Sequence, residues 1–153
     1  MEEVARYALV AATIAGQQQF DVIHAHDWLT YAAGIAAKRV SGKPLVVHVH
    51  ATEFDRSGEN VNQTVYNLER QGMLEADRVV TVSNLTRNIV ITRYGINPDK
   101  VVTVHNAVDF QSYSEMEVER GVKEKVVTFL GRITYQKGPE YFIEAANKVL
   151  KRY

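Results

Sequence analysis

An α/β fold with a doubly wound parallel sheet is what this sequence predicts, and three observations predict it. Short β-branched runs alternate along the chain with longer stretches of helical period. The runs are near-continuously apolar, as strands covered on both faces of a parallel sheet must be. Turn and cap residues fall where one period gives way to the other. Alternation of this kind gives parallel strands joined by right-handed crossovers.

The elements follow in order. Glu2–Ala15, Thr30–Val40, Val61–Ala76, Asn84–Tyr94 and Pro139–Lys151 read as helices. Asp21–Ala25, Leu45–Val49, Arg78–Val82, Val101–Val104 and Val126–Leu130 read as strands. Gly16 and Gly42 stand just past helix ends, where left-handed backbone is wanted. Thr30 and Ser83 are suited to N-caps, and Pro139 to a first helical turn, where a missing N–H costs little. In Val61–Ala76, one stripe carries Val61, Val65, Leu68 and Ala76, and the opposite side carries Asn67, Glu69 and Arg70. That pattern suits a helix laid on a sheet, its polar side opposite the apolar stripe.

Composition narrows the function classes. The chain has 153 residues, 46% hydrophobic and 24% charged, enough for the core of one domain or for parts of two. Eighteen basic side chains balance eighteen acidic ones. That balance gives no general attraction to nucleic acid or to an anionic membrane, and neither is expected as a partner. There is no cysteine, which excludes a disulfide scaffold and a thiol nucleophile and fits a reducing, cytoplasmic setting. The longest apolar candidate, Tyr7–Gly16, falls well short of the roughly twenty residues of a membrane-spanning helix. Glu2 and Glu3 stand where a signal peptide needs positive charge. The sequons at Asn62 and Asn84 are therefore read as chance matches.

One stretch, Asp109–Glu124, breaks the rhythm with a charge cluster and no period. It exceeds the usual connection of about four to six residues, and reads as a lid-like loop or an interdomain linker. A fresh strand, a glycine-bearing turn and a helix follow it, as at the opening of a second domain.

Chemistry concentrates at strand ends. All five histidines, His24, His26, His48, His50 and His105, fall at or near the carboxyl ends of expected strands, where open α/β sheets bind ligands. Side chains at i and i+2 on a strand share a face, which pairs His24 with His26 and His48 with His50. Such pairs suit a divalent metal ion, or a polar pocket for a hydroxylated ligand. The plainer reading, favoured for His24 and His48, is that they are satisfied core or strand-end histidines. His26 and His50 end their strands and are the stronger site candidates. The turn from Gly131 to Gly138 sets Arg132 and Lys137 beside a helix N-terminus, which reads equally as an anion site suited to a diphosphate or as a basic surface loop that only connects strand to helix. Gly131 is expected to allow a sharp turn there, and Gly138 a close approach. Glu53, Asp55 and Arg56 are expected in a solvated loop, with the lining of a cleft as the alternative, and Trp28 as a half-buried aromatic or a stacking platform for a sugar or base.

The ordered segments DVIHAHDWLT (21–30), LVVHVHATEF (45–54), ADRVVTVSN (76–84), YGINPDKVVTVHNAVD (94–109) and VVTFLGRITYQKGPEYFIEA (126–145) together resemble glycosyltransferase family 4. These are retaining enzymes of the two-domain GT-B fold that use nucleotide sugars. The resemblance implies Rossmann-like domains: residues 1–108 as the later part of the acceptor-side domain, 109–124 as the linker, and 125–153 as the first strand–helix unit of the donor-binding domain. It makes His50 the catalytic histidine, hydrogen-bonded to the donor sugar, with His26 beside it as a substrate contact. Gly131, Arg132 and Lys137 would grip the diphosphate of the donor. HATEFDR and VYNLERQGMLEADRVVTVS are most similar to the glycogen synthase-like branch, which implies ADP- or UDP-glucose as donor and a glycan acceptor. It implies no metal and no cofactor. The family's early Gly-rich loop and later glutamate pair are missing, and Ala107 stands where a Gly often follows the Asn, so this chain alone is expected to be inactive. Two other functions stay open: a metal-dependent hydrolase on the His-x-His pairs, and a non-catalytic nucleotide-binding or assembly module. Open sheet edges would favour a homo-oligomer in the latter case.

Overall fold

The computed structural model describes residues 2–110, 121, 123 and 125–152. It has two compact units, Met1–Asn106 and Ala107–Tyr153. The first opens on helix α1 (Glu2–Gln17) and continues through β1 (Ile23–His26), α2 (Trp28–Ser41), β2 (Leu45–Val49), the short α3 (Glu53–Ser57), α4 (Gln63–Glu75), β3 (Arg78–Thr81), α5 (Asn84–Tyr94) and β4 (Val101–Thr103). The strands form one parallel sheet in sequential order, β1-β2-β3-β4, with Val47 opposite Ala25 and Val79. This is the expected Rossmann-like α/β architecture.

Sequential order has a consequence for the faces. Right-handed crossovers taken in one direction put α2, α4 and α5 on the same side. The core lies there: Ala25, Leu45, Val47, Val49, Val79 and Val101 of the sheet pack against Tyr31, Ile35, Met73, Val90 and Tyr94 of the helices. Gly34 and Gly72 permit this closeness. A Cβ on Gly34 would lie 2.8 Å from Leu45, and one on Gly72 2.3 Å from the Tyr31 ring. The outer face shows Val22 and Val102 half exposed beside the histidines. The apolar runs predicted cover on both faces, whereas the described residues cover one.

Local signals mostly hold. Gly42 ends α2 at φ 68°, Ser83 caps α5 by accepting the Thr86 N–H, and Pro139 opens the last helix. Gly16, expected past the end of α1, lies inside it, because the helix runs on to Gln17. Thr30 is not a cap: α2 starts earlier, at Trp28 after Asp27, and the Thr30 hydroxyl donates back to the His26 carbonyl at 2.7 Å.

In the second unit, Pro139–Leu150 forms helix α6, preceded by a 3-10 turn at Tyr135–Lys137. Phe129 meets Phe142 of α6 with ring centroids 5.5 Å apart. The expected strand Val126–Leu130 forms no ladder, because no second strand among the described residues of this unit offers it hydrogen bonds. Most of the expected linker 109–124 lies outside the described residues. Among the described residues no helix is long and apolar enough to cross a membrane.

Candidate functional site

The carboxyl ends of β1 and β2 carry the chemistry. Parallel register sets His26 opposite His48, so His24, His26, His48 and His50 project from the outer face. His26 Nδ1 lies 3.0 Å from His50 Nε2, a hydrogen bond whose direction follows the tautomer. The His48 ring stacks between neighbours, 4.3 Å from His50 and 5.4 Å from His24. Desolvation, followed by repulsion from the neighbouring imidazoles, lowers the pKa of both His24 and His48. Of the reading as satisfied core or strand-end histidines, the core placement fails for His24, which is exposed, and the satisfaction fails for His48, both of whose ring nitrogens are buried without a partner. The sheet's one-sided cover leaves His24 in solvent, while the neighbouring imidazole rings pack against His48 and bury its nitrogens without hydrogen-bonding them. His105 follows β4, exposed and apart from the cluster.

Asp27 binds the two strand ends together, and sequence reading missed it. Its carboxylate Oδ1 accepts the His50 N–H at 2.8 Å, while its own N–H donates to the His48 carbonyl at 3.0 Å. To do both, Asp27 adopts φ 58°, ψ 168°, the one positive φ outside glycine among the described residues. That region is almost reserved for glycine and costs about 1–3 kcal/mol, a strain characteristic of functional sites. The signal available in sequence was an acidic residue directly after a strand-end histidine.

Beneath His50, a buried ionic network fixes the chain. Arg56 pairs with Glu53 at 3.1 Å and with Glu69, and also donates to the Ala51 carbonyl at 3.1 Å. Glu69 further accepts the Tyr94 hydroxyl and the Glu53 N–H. Glu69 is 3% exposed and Glu53 7%. Both depart from expectation: the helical stripe set Glu69 on the side opposite the apolar residues, and for Glu53, Asp55 and Arg56 a solvated loop was favoured over the lining of a cleft. The stripe failed because α3 folds over that side of α4 and delivers a cation to Glu69. Asp55 instead closes a capping box with Thr52 at the start of α3. Burial raises the Glu69 pKa against the pull of Tyr94 and Arg56, and desolvation together with Glu69 raises that of Tyr94. Trp28 packs against the core, as the plainer reading had it.

The remaining candidates lie in the second unit. Gly131, Arg132 and Lys137 are all exposed, and neither cation forms an ion pair among the described residues. Gly138 takes φ 57° before α6, and a Cβ there would come within 2.8 Å of Tyr141. The chain bends at Gly131 as expected, but its φ lies outside the left-handed region and a Cβ there would meet only ordinary contacts, the nearest at 3.5 Å.

The sequence that forms this sheet and its histidine-tipped strands matches a known family. The model of Glycosyltransferase Family 4 covers residues 3–112. The chain belongs to glycosyltransferase family 4. It is similar to an uncharacterised glycosyltransferase of Methanocaldococcus jannaschii, 31% identical over 92% of this chain and 40% of the relative. It is also similar to an alpha-maltose-1-phosphate synthase of Mycolicibacterium smegmatis, 33% identical over 83% of this chain and 37% of the relative. A D-inositol 3-phosphate glycosyltransferase of Kribbella flavida is 31% identical over 97% of this chain and 38% of the relative. The chain thus spans 37% to 40% of the length of these family 4 relatives.

Proposed function

We propose that this family 4 chain carries part of the site of a retaining transferase that moves a hexose from a nucleotide sugar to an acceptor hydroxyl. The observation that carries the reading is the fixed posture of His50. Its backbone is held by the strained Asp27, its ring by His26, and its following turn by Arg56. A histidine positioned on three sides can hydrogen-bond a donor sugar without reorganising as charge develops. In this reading His50 and His26 meet the sugar. Arg132 and Lys137, near the N-terminus of α6, hold the departing diphosphate, with Gly131 leading into that turn. Residues 1–108 belong to the acceptor-side domain, 109–124 link, and 125–153 begin the donor domain.

ADP- or UDP-glucose and a glycan acceptor follow from the glycogen synthase-like segments. The relatives' names favour transfer but span several acceptors, inositol 3-phosphate among them. Transfer by these groups uses no metal, and the reading includes that these residues alone give no robust turnover. Family membership favours transfer over hydrolysis at the His-x-His pairs.

Calorimetric titration with ADP and UDP tests the reading. Binding should weaken by more than about tenfold in the R132A/K137A double variant, as loss of two charge-assisted contacts predicts. Equal affinity in wild type and double variant would remove the diphosphate role.

A further inference from the structure

The four histidines at the ends of β1 and β2 form a compact imidazole cluster that sugar binding through His26 and His50 does not use up. Parallel pairing with His26 opposite His48 lays two His-x-His pairs side by side on rigid backbone. His24 and His26 have ring centroids 4.2 Å apart, and His26 and His48 5.1 Å. One nitrogen from each of His24, His26 and His48 lies within 4.8 Å of the others. The second observation is independent of that spacing. Both nitrogens of His48 are buried with no hydrogen-bond partner, although buried polar atoms are nearly always satisfied.

We propose that His24, His26 and His48 form a binding site for one divalent transition-metal ion of the zinc class. Neutral imidazole is a ligand of choice for zinc, nickel and copper, whereas magnesium and calcium want carboxylate and carbonyl oxygen. Zinc–nitrogen bonds of about 2.0–2.1 Å in tetrahedral array set ligand nitrogens roughly 3.4 Å apart. The observed spacing, at most 4.8 Å, exceeds that value by about 1.4 Å, a difference of the size that side-chain torsions take up. Capture of the ion gives His48 the partner it lacks and leaves one position open to water or a small anion. His26 bonds His50 through Nδ1 and has only its other nitrogen for the ion, so with the ion bound His26 is a ligand rather than a sugar contact, and His50, one hydrogen bond away, is left to meet the donor sugar. The site does not rest on the transferase reading, since metal binding is measured without substrate.

The test is titration calorimetry of the chain, free of any histidine tag, with zinc chloride and separately with magnesium chloride. One equivalent of zinc should bind, and magnesium should not. H24Q and H48Q should each weaken zinc binding by more than about tenfold, a loss already seen when only a supporting partner of a ligand is removed. H105Q should bind like wild type. Because His24 is exposed, H24Q keeps the test informative even if H48Q fails to fold, and far-UV circular dichroism checks each variant. Absence of zinc binding, undiminished affinity in H24Q, or loss in H105Q equal to that in H24Q would overturn the site. So would magnesium binding that H24Q abolishes.

Discussion

Glu69 and Asp27 show how single residues are held in states that cost free energy alone. Glu69 is buried and charged only because Arg56 and Tyr94 face it. Removing Glu69 leaves Arg56 with Glu53 as its one carboxylate partner and leaves the buried Tyr94 hydroxyl without its acceptor, so E69A should lower stability by about 1–3 kcal/mol. Urea unfolding measures this, and a loss under about 1 kcal/mol would mean that water reaches Arg56. The phenols give a pH dependence. Tyr31 and Tyr94 both have pKa values raised by burial. A folded pKa above the unfolded one means stability present below the unfolded value, near 10, and lost as pH rises beyond it. The urea midpoint should therefore fall above about pH 10, and less steeply in Y94F. Asp27 makes the opposite exchange. D27G relieves strain of about 1–3 kcal/mol and gives up a hydrogen bond worth about 0.5–1.5. Its stability should match or exceed wild type, while nucleotide-sugar binding weakens because His50 loses its anchor. Denaturation and calorimetry on the same variant separate the two effects.

Elements pack through small residues at particular crossings. Gly72 of α4 lies against Tyr31 of α2, and an added Cβ would overlap ring atoms at 2.3 and 2.6 Å. Overpacking at such a crossing costs about 1–3 kcal/mol or more, so G72A should destabilise strongly in thermal unfolding. A Cβ at Gly42 meets nothing within 4 Å, but the φ of 68° remains. G42A should cost only the left-handed penalty of about 1–2 kcal/mol. If the two variants unfold alike, the crossing is looser than the distances indicate. Helix α5 and strand β2 were legible to the residue, since Ser83, Gly42 and a β-branched run punctuate them locally. The start of α2 was not, because Asp27 answers to His48 and His50 across the sheet rather than to its own helix.

On the scale of the molecule, the units differ in kind. Every buried apolar side chain described lies between Val4 and Val101. The described residues of the second unit, though partly apolar, include none that is buried. Residues 2–106 alone should therefore unfold cooperatively, with one transition by circular dichroism and fluorescence. A gradual, probe-dependent loss would show that this core needs more chain.

By itself the sequence determined the parallel α/β plan, the crossovers and the strand-end address of the histidines. Those follow from periodicity and punctuation, which act over a few residues. Tertiary structure decided that a single face of the sheet is covered, that Glu69 is interior, and that four imidazoles stand together. It also decided that Asp27 is strained. Each of these depends on register between strands or on α3 folding over α4, contacts between residues far apart in the chain that no local pattern encodes.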